Sequence, residues 1–233
     1  MIATVPLILD PLKLLWLDKI SSITDEAATL TDEEKKRADT IKATPRRDEF
    51  IRSRLLLRSI TGANSSFLPD TENTPSWPPG LCGSITHKNG HVAVCTAPAK
   101  NFHSIGIDSE NASKDISHLK EKICTENDLV FIDRICEQSK VEQGSAIALI
   151  FSAKEALFKC HFPVGKLMFW FHDAELSHID MTTGEIDIRV LTETSPITQK
   201  GQVTRGRFLL HNASDGAFWV TAFTLPKDKY RLS

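Results

Sequence analysis

The sequence lacks paired cysteines, any enrichment in glycine or proline, long apolar runs and any excess of one charge. Its five cysteines (Cys82, Cys95, Cys124, Cys136 and Cys160) are odd in number and form no C-x-x-C pair. That leaves neither a disulfide framework nor a zinc ribbon and fits a reduced cytoplasm. With 11 glycines and 11 prolines in 233 residues, low-complexity and fibrous chains are excluded. The 28 Lys and Arg nearly balance 30 Asp and Glu, for a net charge of -2, so there is no chain-wide attraction to nucleic acid and any anion site is local. Residues 1–9 carry no basic flank, contain Pro6 and meet Asp10 before an apolar segment of useful length develops, so neither a secretion signal nor a membrane span is expected.

What is present is the composition of a soluble globular protein, 41% hydrophobic and 25% charged, long enough to bury a core as one domain or two packed halves. Thr31-Asp32-Glu33-Glu34 has the form of a capping box and predicts a helix to about residue 41. Thr44-Pro45 reads as an N-cap with proline at the first helical position, opening a second helix that ends before Gly62. On it Arg47, Arg54 and Arg58 share a stripe. Residues 64–80 read as an irregular loop ending in Trp77-Pro78-Pro79-Gly80. Residues 83–87 and 91–97 read as strands joined by Asn89-Gly90, a pair that tolerates the positive φ of a tight hairpin, with a third strand at 104–110. Residues 115–162 are mostly helical in pattern, and 181–191 and 207–225 return to strand-like alternation. The predicted order is helices, strands, helices, strands, which suggests two α+β halves.

Three stretches carry chemistry. In Ser104-Ile105-Gly106-Ile107-Asp108-Ser109-Glu110, period-two geometry sends Asp108 and Glu110 to one face beside Gly106. Two such carboxylates suit magnesium, although a solvated strand end has the same look. In Phe151-Ser152-Ala153-Lys154-Glu155-Ala156-Leu157-Phe158-Lys159, the side chains of Phe151, Phe158 and Phe162 form a buried-looking stripe. Glu155 is a candidate third oxygen ligand and Lys159, four residues on, a phosphate contact, yet the same spacing is a common surface ion pair. Gly83-Ser84-Ile85-Thr86-His87 offers a hydroxyl and an imidazole at a strand end, although a lone histidine there is more often structural. Zinc on His87 and His91 is excluded, because the hairpin turn separates them and no cysteine pair completes the set.

Together, Trp77-Pro78-Pro79-Gly80 with Gly-Ser-Ile-Thr-His, then Ile-Gly-Ile-Asp-Ser-Glu, then Phe-Ser-Ala-Lys-Glu-Ala-Leu-Phe-Lys resemble the 4′-phosphopantetheinyl transferase superfamily. The likeness is greatest to the enterobactin synthase component D branch of the surfactin-type enzymes, and it runs from about Thr44 to Phe162 in the same order. It implies a cytoplasmic α+β monomer of two pseudo-symmetric halves, 1–103 and 104–233, each a small, mostly antiparallel sheet packed with helices. Coenzyme A and magnesium are expected in the cleft between the halves.

The resemblance further implies that Asp108, Glu110 and Glu155 coordinate Mg2+, and that Lys159 contacts the coenzyme A pyrophosphate and protonates the departing 3′,5′-ADP. His87 and Thr86 would contact the coenzyme phosphates, and Arg46, Arg47 and Arg54 the adenosine 3′-phosphate. Glu155, directly or through a metal-bound water, would be the base for the attacking carrier serine. The implied partner is an apo aryl or peptidyl carrier domain of a nonribosomal peptide synthetase in siderophore synthesis. Two departures stand out: polar Ser109 lies between the two acids where the family carries an aliphatic residue, and Trp77-Pro78-Pro79-Gly80 replaces the glycine-lysine-proline stretch of the surfactin-type enzymes. A coenzyme-binding module without transfer and a purely structural protein are the competing classes. The full set Asp108, Glu110, Glu155 and Lys159 disfavours the first, and the second predicts that alanine at Glu155 or Lys159 changes nothing but helix stability.

Overall fold

The computed structural model describes residues 4–9, 12–18, 29–70 and 74–229. The chain divides into two compact units, Met1–Lys100 and Asn101–Ser233. Both are α+β, and each is built on one antiparallel sheet. No helix among the described residues is long and apolar enough to cross a membrane.

The first unit begins with two strands ahead of the first predicted helix. A hairpin of β1 (Thr4–Leu9) and β2 (Leu12–Leu17) precedes α1 (Asp32–Thr40) and α2 (Thr44–Thr61), and β3 (Leu81–Lys88) and β4 (His91–Pro98) follow. The sheet order is β1-β2-β4-β3, with β2 at the centre against β4. The segment Leu-Lys-Leu-Leu-Trp-Leu has no β-branched residue, so its strand character comes from long-range pairing rather than local preference. The expectations for residues 1–3 lie outside the described residues.

Local signals were accurate further on. Thr31 and Glu34 form the reciprocal capping box that starts α1. Helix α2 starts one residue earlier than Thr44-Pro45 suggests: Ala43 is the N-cap, Thr44 opens the helix and Pro45 occupies its first turn, where a missing N–H costs no intrahelical bond. Gly62 ends it with φ 69°, and Asn89 and Gly90 both take positive φ in the β3–β4 turn. The apolar face of α2 (Leu56 and Leu57) packs with Leu17, Phe67, Val92 and Val94.

Glu34 ties this unit together. Fully buried, it receives the amides of Thr31 and Phe67 and pairs with Arg58 of α2. Burial opposes its ionisation, but the Phe67 amide, Arg58 and the Thr31 amide outweigh burial and hold the carboxyl below the usual carboxylate range. A depressed folded value contributes stability that is present above the ordinary range and lost as pH falls through the folded value. Glu34→Gln should therefore destabilise this unit by about 2 kcal/mol at neutral pH. The gap from wild type should close in acid, as urea unfolding across pH, followed by tryptophan fluorescence, will read.

The second unit carries β5 (Phe102–Asn111), α3 (Lys120–Ile123), α4 (Glu126–Ser139), α5 (Gln143–Gly165), β6 (Ala174–Asp180), β7 (Glu185–Val190), β8 (Val203–Ala213) and β9 (Gly216–Pro226). Its sheet runs β5-β9-β8-β7-β6. Strand β6 escaped the sequence reading because an irregularity between Leu176 and His178 breaks its alternation. Residues 181–184, expected to open a strand, make the β6–β7 turn instead, with Gly184 at φ 70°. Helix α5 packs on β5 and β9, and its Ile147, Leu149, Ile150, Ala153, Ala156 and Leu157 are core residues. The expected stripe of Phe151, Phe158 and Phe162 is only partly buried. These rings sit at the core margin, where Phe158 stacks on Phe162 at 5.1 Å.

Candidate active site

Gly106 lets α5 lie directly on β5. A Cβ there would stand 2.1 Å from the carbonyl oxygen of Ala156 and 2.4 Å from the amide nitrogen of Cys160, both helix backbone atoms. Alternation then puts Asp108 and Glu110 on the same helix-facing side of the strand as Gly106. Both acids are buried, with 5% and 7% of their surface exposed. Lys159 of α5 reaches this face and donates from Nζ to Asp108 Oδ1 at 2.6 Å. Glu155, half-buried, precedes Lys159 by one helical turn.

The rotation of α5 is set by residues to which the sequence reading gave no role. Ser152 shares a hydrogen bond with Thr221 at 2.9 Å, and Thr221 pairs with Asp108 in the β5–β9 register. Lys154 points away from Asp108 into the core. There Nζ donates to the carbonyl oxygens of Ile123 and Phe171 and to Asp128 Oδ2. Burial pushes its ammonium pKa down, and Asp128 opposes that shift. Asp128 is itself held by the Thr125 capping box and by the Leu176 amide. A lysine inside an apolar helical stretch was the available signal, but its acid lies on another helix.

Among the described residues, no group of three or more His, Cys, Asp or Glu side chains is gathered to hold a metal ion. Asp108 and Glu110 share a face, but Glu155 is not drawn in with them as one three-carboxylate set; Asp108 has the Lys159 ammonium against it instead. Two buried carboxylates nonetheless suit magnesium chemically, since that ion commonly takes one or two carboxylates and completes its shell with substrate phosphates and water.

In the first unit, Trp77 lies over Gly83, whose absent Cβ would sit 2.3 Å from the indole, so the two parts of that motif are one packing unit. His87 is half-exposed, and its Nδ1 donates to Glu49 Oε2 at 2.9 Å. Thr86 is buried and, as the neighbouring strand residue, faces the opposite side; the strand does not bring the hydroxyl and the imidazole together.

The arginines divide in the same way. Arg46 and Arg47 are exposed, with Arg47 bonded to Asp39 at 2.7 Å. Arg54 is buried, stacks 4.0 Å from the Phe50 ring centroid and donates to the Phe67 carbonyl and the Ser53 hydroxyl. Burial pushes its pKa down to about 10, which still leaves it charged at neutral pH. The expected arginine stripe of α2 thus pairs with α1 acids through Arg47 and Arg58, while Arg54 anchors the segment at Phe67.

Comparison with known proteins places a match in each unit. The model of the 4′-phosphopantetheinyl transferase superfamily matches residues 104–218, and that of the 4′-phosphopantetheinyl transferase N-terminal domain matches residues 33–97. Among curated relatives, the 4′-phosphopantetheinyl transferase Svp of Streptomyces mobaraensis is 29% identical over 159 residues, 66% of this chain and 63% of that protein. The 4′-phosphopantetheinyl transferase PptT of Mycobacterium tuberculosis is 28% identical over 176 residues, 70% of this chain and 74% of its own. The 4′-phosphopantetheinyl transferase Npt of Nocardia iowensis is 27% identical over 174 residues, 69% and 72%. The chain thus spans less than two thirds of the length of the Streptomyces relative. With both halves matched in order, and with Asp108, Glu110, Glu155 and Lys159 inside the longer match, the chain belongs to the 4′-phosphopantetheinyl transferase superfamily.

Proposed function

We propose that this chain is a magnesium-dependent enzyme that transfers the 4′-phosphopantetheine group of coenzyme A to a serine of an apo carrier protein and releases 3′,5′-ADP. The observation that carries the proposal is the Lys159–Asp108 contact beside Glu110, on the strand face that Gly106 opens to α5. The three relatives, each a 4′-phosphopantetheinyl transferase by name, support it as well.

Asp108 and Glu110 would hold the magnesium ion, which would supply Lewis-acid neutralisation of charge on the pyrophosphate. The carrier serine oxygen bonds to the β-phosphorus as the bond from that phosphorus to the bridging oxygen breaks. Glu155 takes the serine proton, and Lys159 gives a proton to the departing 3′,5′-ADP oxygen. Asp108 keeps the Lys159 ammonium aimed at this face. In the other unit His87 contacts a coenzyme phosphate, with exposed Arg46 and Arg47 on the 3′-phosphate, while Arg54 and Thr86 support the segments that present them.

The resemblance in the motifs favours the enterobactin-type branch, hence a monomer acting on an aryl or peptidyl carrier domain of a siderophore synthetase. The test is chromatographic assay of 3′,5′-ADP after incubation with coenzyme A, magnesium and, separately, aryl, peptidyl and fatty-acid apo carriers. Release with the first two well above the third supports the full proposal. Release only with the fatty-acid carrier overturns the partner, and release with none overturns the transfer.

A further inference from the structure

Glu49 stands outside every motif that led to the active site, yet it is tied to one of the proposed coenzyme contacts. Residues 49 and 52 are one turn apart on α2 and face the same way. Arg52, buried, donates from Nη1 to the Gly90 carbonyl at 2.6 Å, and the Gly90 amide hydrogen-bonds the Glu49 carboxylate. The peptide groups of Gly90 are thereby held from both sides by α2. Gly90 is the second turn residue of the β3–β4 hairpin, three positions after His87.

The same carboxylate accepts from His87 Nδ1, so the hairpin turn and the imidazole share one anchor. The Glu49 side chain is 12% exposed and that of His87 52%. The acid lies under the surface and the ring stands half out of it. Burial disfavours the Glu49 charge, but the His87 bond and charge, the Gly90 amide and Arg46 prevail and keep the carboxyl below its usual range. An ionised carboxylate only accepts, so the Nδ1 position facing it carries a proton. The other nitrogen, Nε2, then points away from Glu49 toward whatever the exposed edge of the ring meets. An anion there is best met by Nε2–H of the doubly protonated ring, whose positive charge the Glu49 carboxylate offsets from behind.

We propose that Glu49 is a positioning residue for coenzyme A binding: with Arg52 it clamps the Gly90 turn, holds the proton on His87 Nδ1 and aims His87 Nε2 at a coenzyme phosphate. This rests on the reading of His87 as a phosphate contact. The role resembles that of the acceptors behind metal-binding histidines, whose loss weakens binding through the ring they orient.

The test is a double-mutant cycle read as KM for coenzyme A against kcat, with thermal melting of every variant. His87→Ala alone tests the underlying reading and should raise KM about tenfold. Glu49→Ala should raise KM by a similar factor with much less effect on kcat, and Glu49→Gln, which keeps one acceptor, should recover part of the loss. In the His87→Ala background, Glu49→Ala should add little. Wild-type KM in His87→Ala overturns the phosphate-contact reading and the role of Glu49 with it. A raised KM in His87→Ala combined with wild-type KM in Glu49→Ala, or with an equal further rise on adding Glu49→Ala, overturns the positioning role while leaving His87 in place. The Gln variant guards against a folding defect: if Glu49→Ala melts below assay temperature, a wild-type KM in folded Glu49→Gln overturns the role and a raised one supports it.

Discussion

Lys159→Ala should lower kcat for phosphopantetheine transfer by about 10²- to 10³-fold while leaving the fold intact, the loss typical of removing one preorganised charge partner from a developing anion. Lys159 is 30% exposed at its side chain and is not among the buried residues, so its removal empties no core position. What it removes is the ammonium bonded to Asp108 Oδ1, together with the proton proposed for the leaving 3′,5′-ADP. Lys159→Arg should rescue poorly, because a planar guanidinium whose protons do not leave near neutral pH can pair with Asp108 but cannot serve as the acid. Steady-state assay with a saturating carrier, alongside circular dichroism to establish folding, checks both variants. Near-normal kcat in folded Lys159→Ala would remove the lysine from the chemistry.

A larger structural effect is expected from one methyl group. Gly106→Ala puts a Cβ 2.1 Å from the Ala156 oxygen and 2.4 Å from the Cys160 nitrogen. Neither atom is the end of a flexible side chain, so the collision is relieved only by lifting α5 from β5. The same helix is the main cover of this sheet and brings Ala153, Ala156, Leu157 and Cys160 into its core. Its displacement should cost about 3 kcal/mol or more. Because Glu155 and Lys159 ride on α5, a shift of even about 1 Å should also cut turnover on the order of 10²-fold in the protein that remains folded. Denaturant midpoints and activity per folded molecule should fall together. A stable Gly106→Ala with full activity would mean that the close approach of helix and strand does not position the site.

The parts of the molecule that were legible beforehand are those specified by neighbours in sequence. A capping box, a helix-ending glycine and an Asn-Gly turn each draw on contacts within a few residues, so α1, the end of α2 and the β3–β4 hairpin were readable at nearly their true bounds. Asp108 and Glu110 were assigned to one strand face by alternation alone. What escaped depends on partners distant in the chain. The strand character of residues 12–17 is decided by pairing with β4. The bond from Arg54 to the Phe67 carbonyl spans 13 residues and has no local signature. Thr86 and His87 looked like two offerings to one ligand, although adjacent strand residues point oppositely. Nothing in the local pattern around Lys154 and Glu49 tells that one is buried on Asp128 and the other grips His87 and Gly90.

The most direct test of the account is the mass of the carrier. Purified protein, coenzyme A and magnesium are incubated with an apo peptidyl carrier domain, the carrier is weighed by intact mass spectrometry, and Glu155→Ala is run in parallel. The account predicts a gain of one phosphopantetheine group per carrier with the wild type and none within the same time with folded Glu155→Ala. An unchanged mass across aryl, peptidyl and fatty-acid carriers would contradict the assignment of transfer, and an equal gain with Glu155→Ala would contradict the place given to that carboxylate in it.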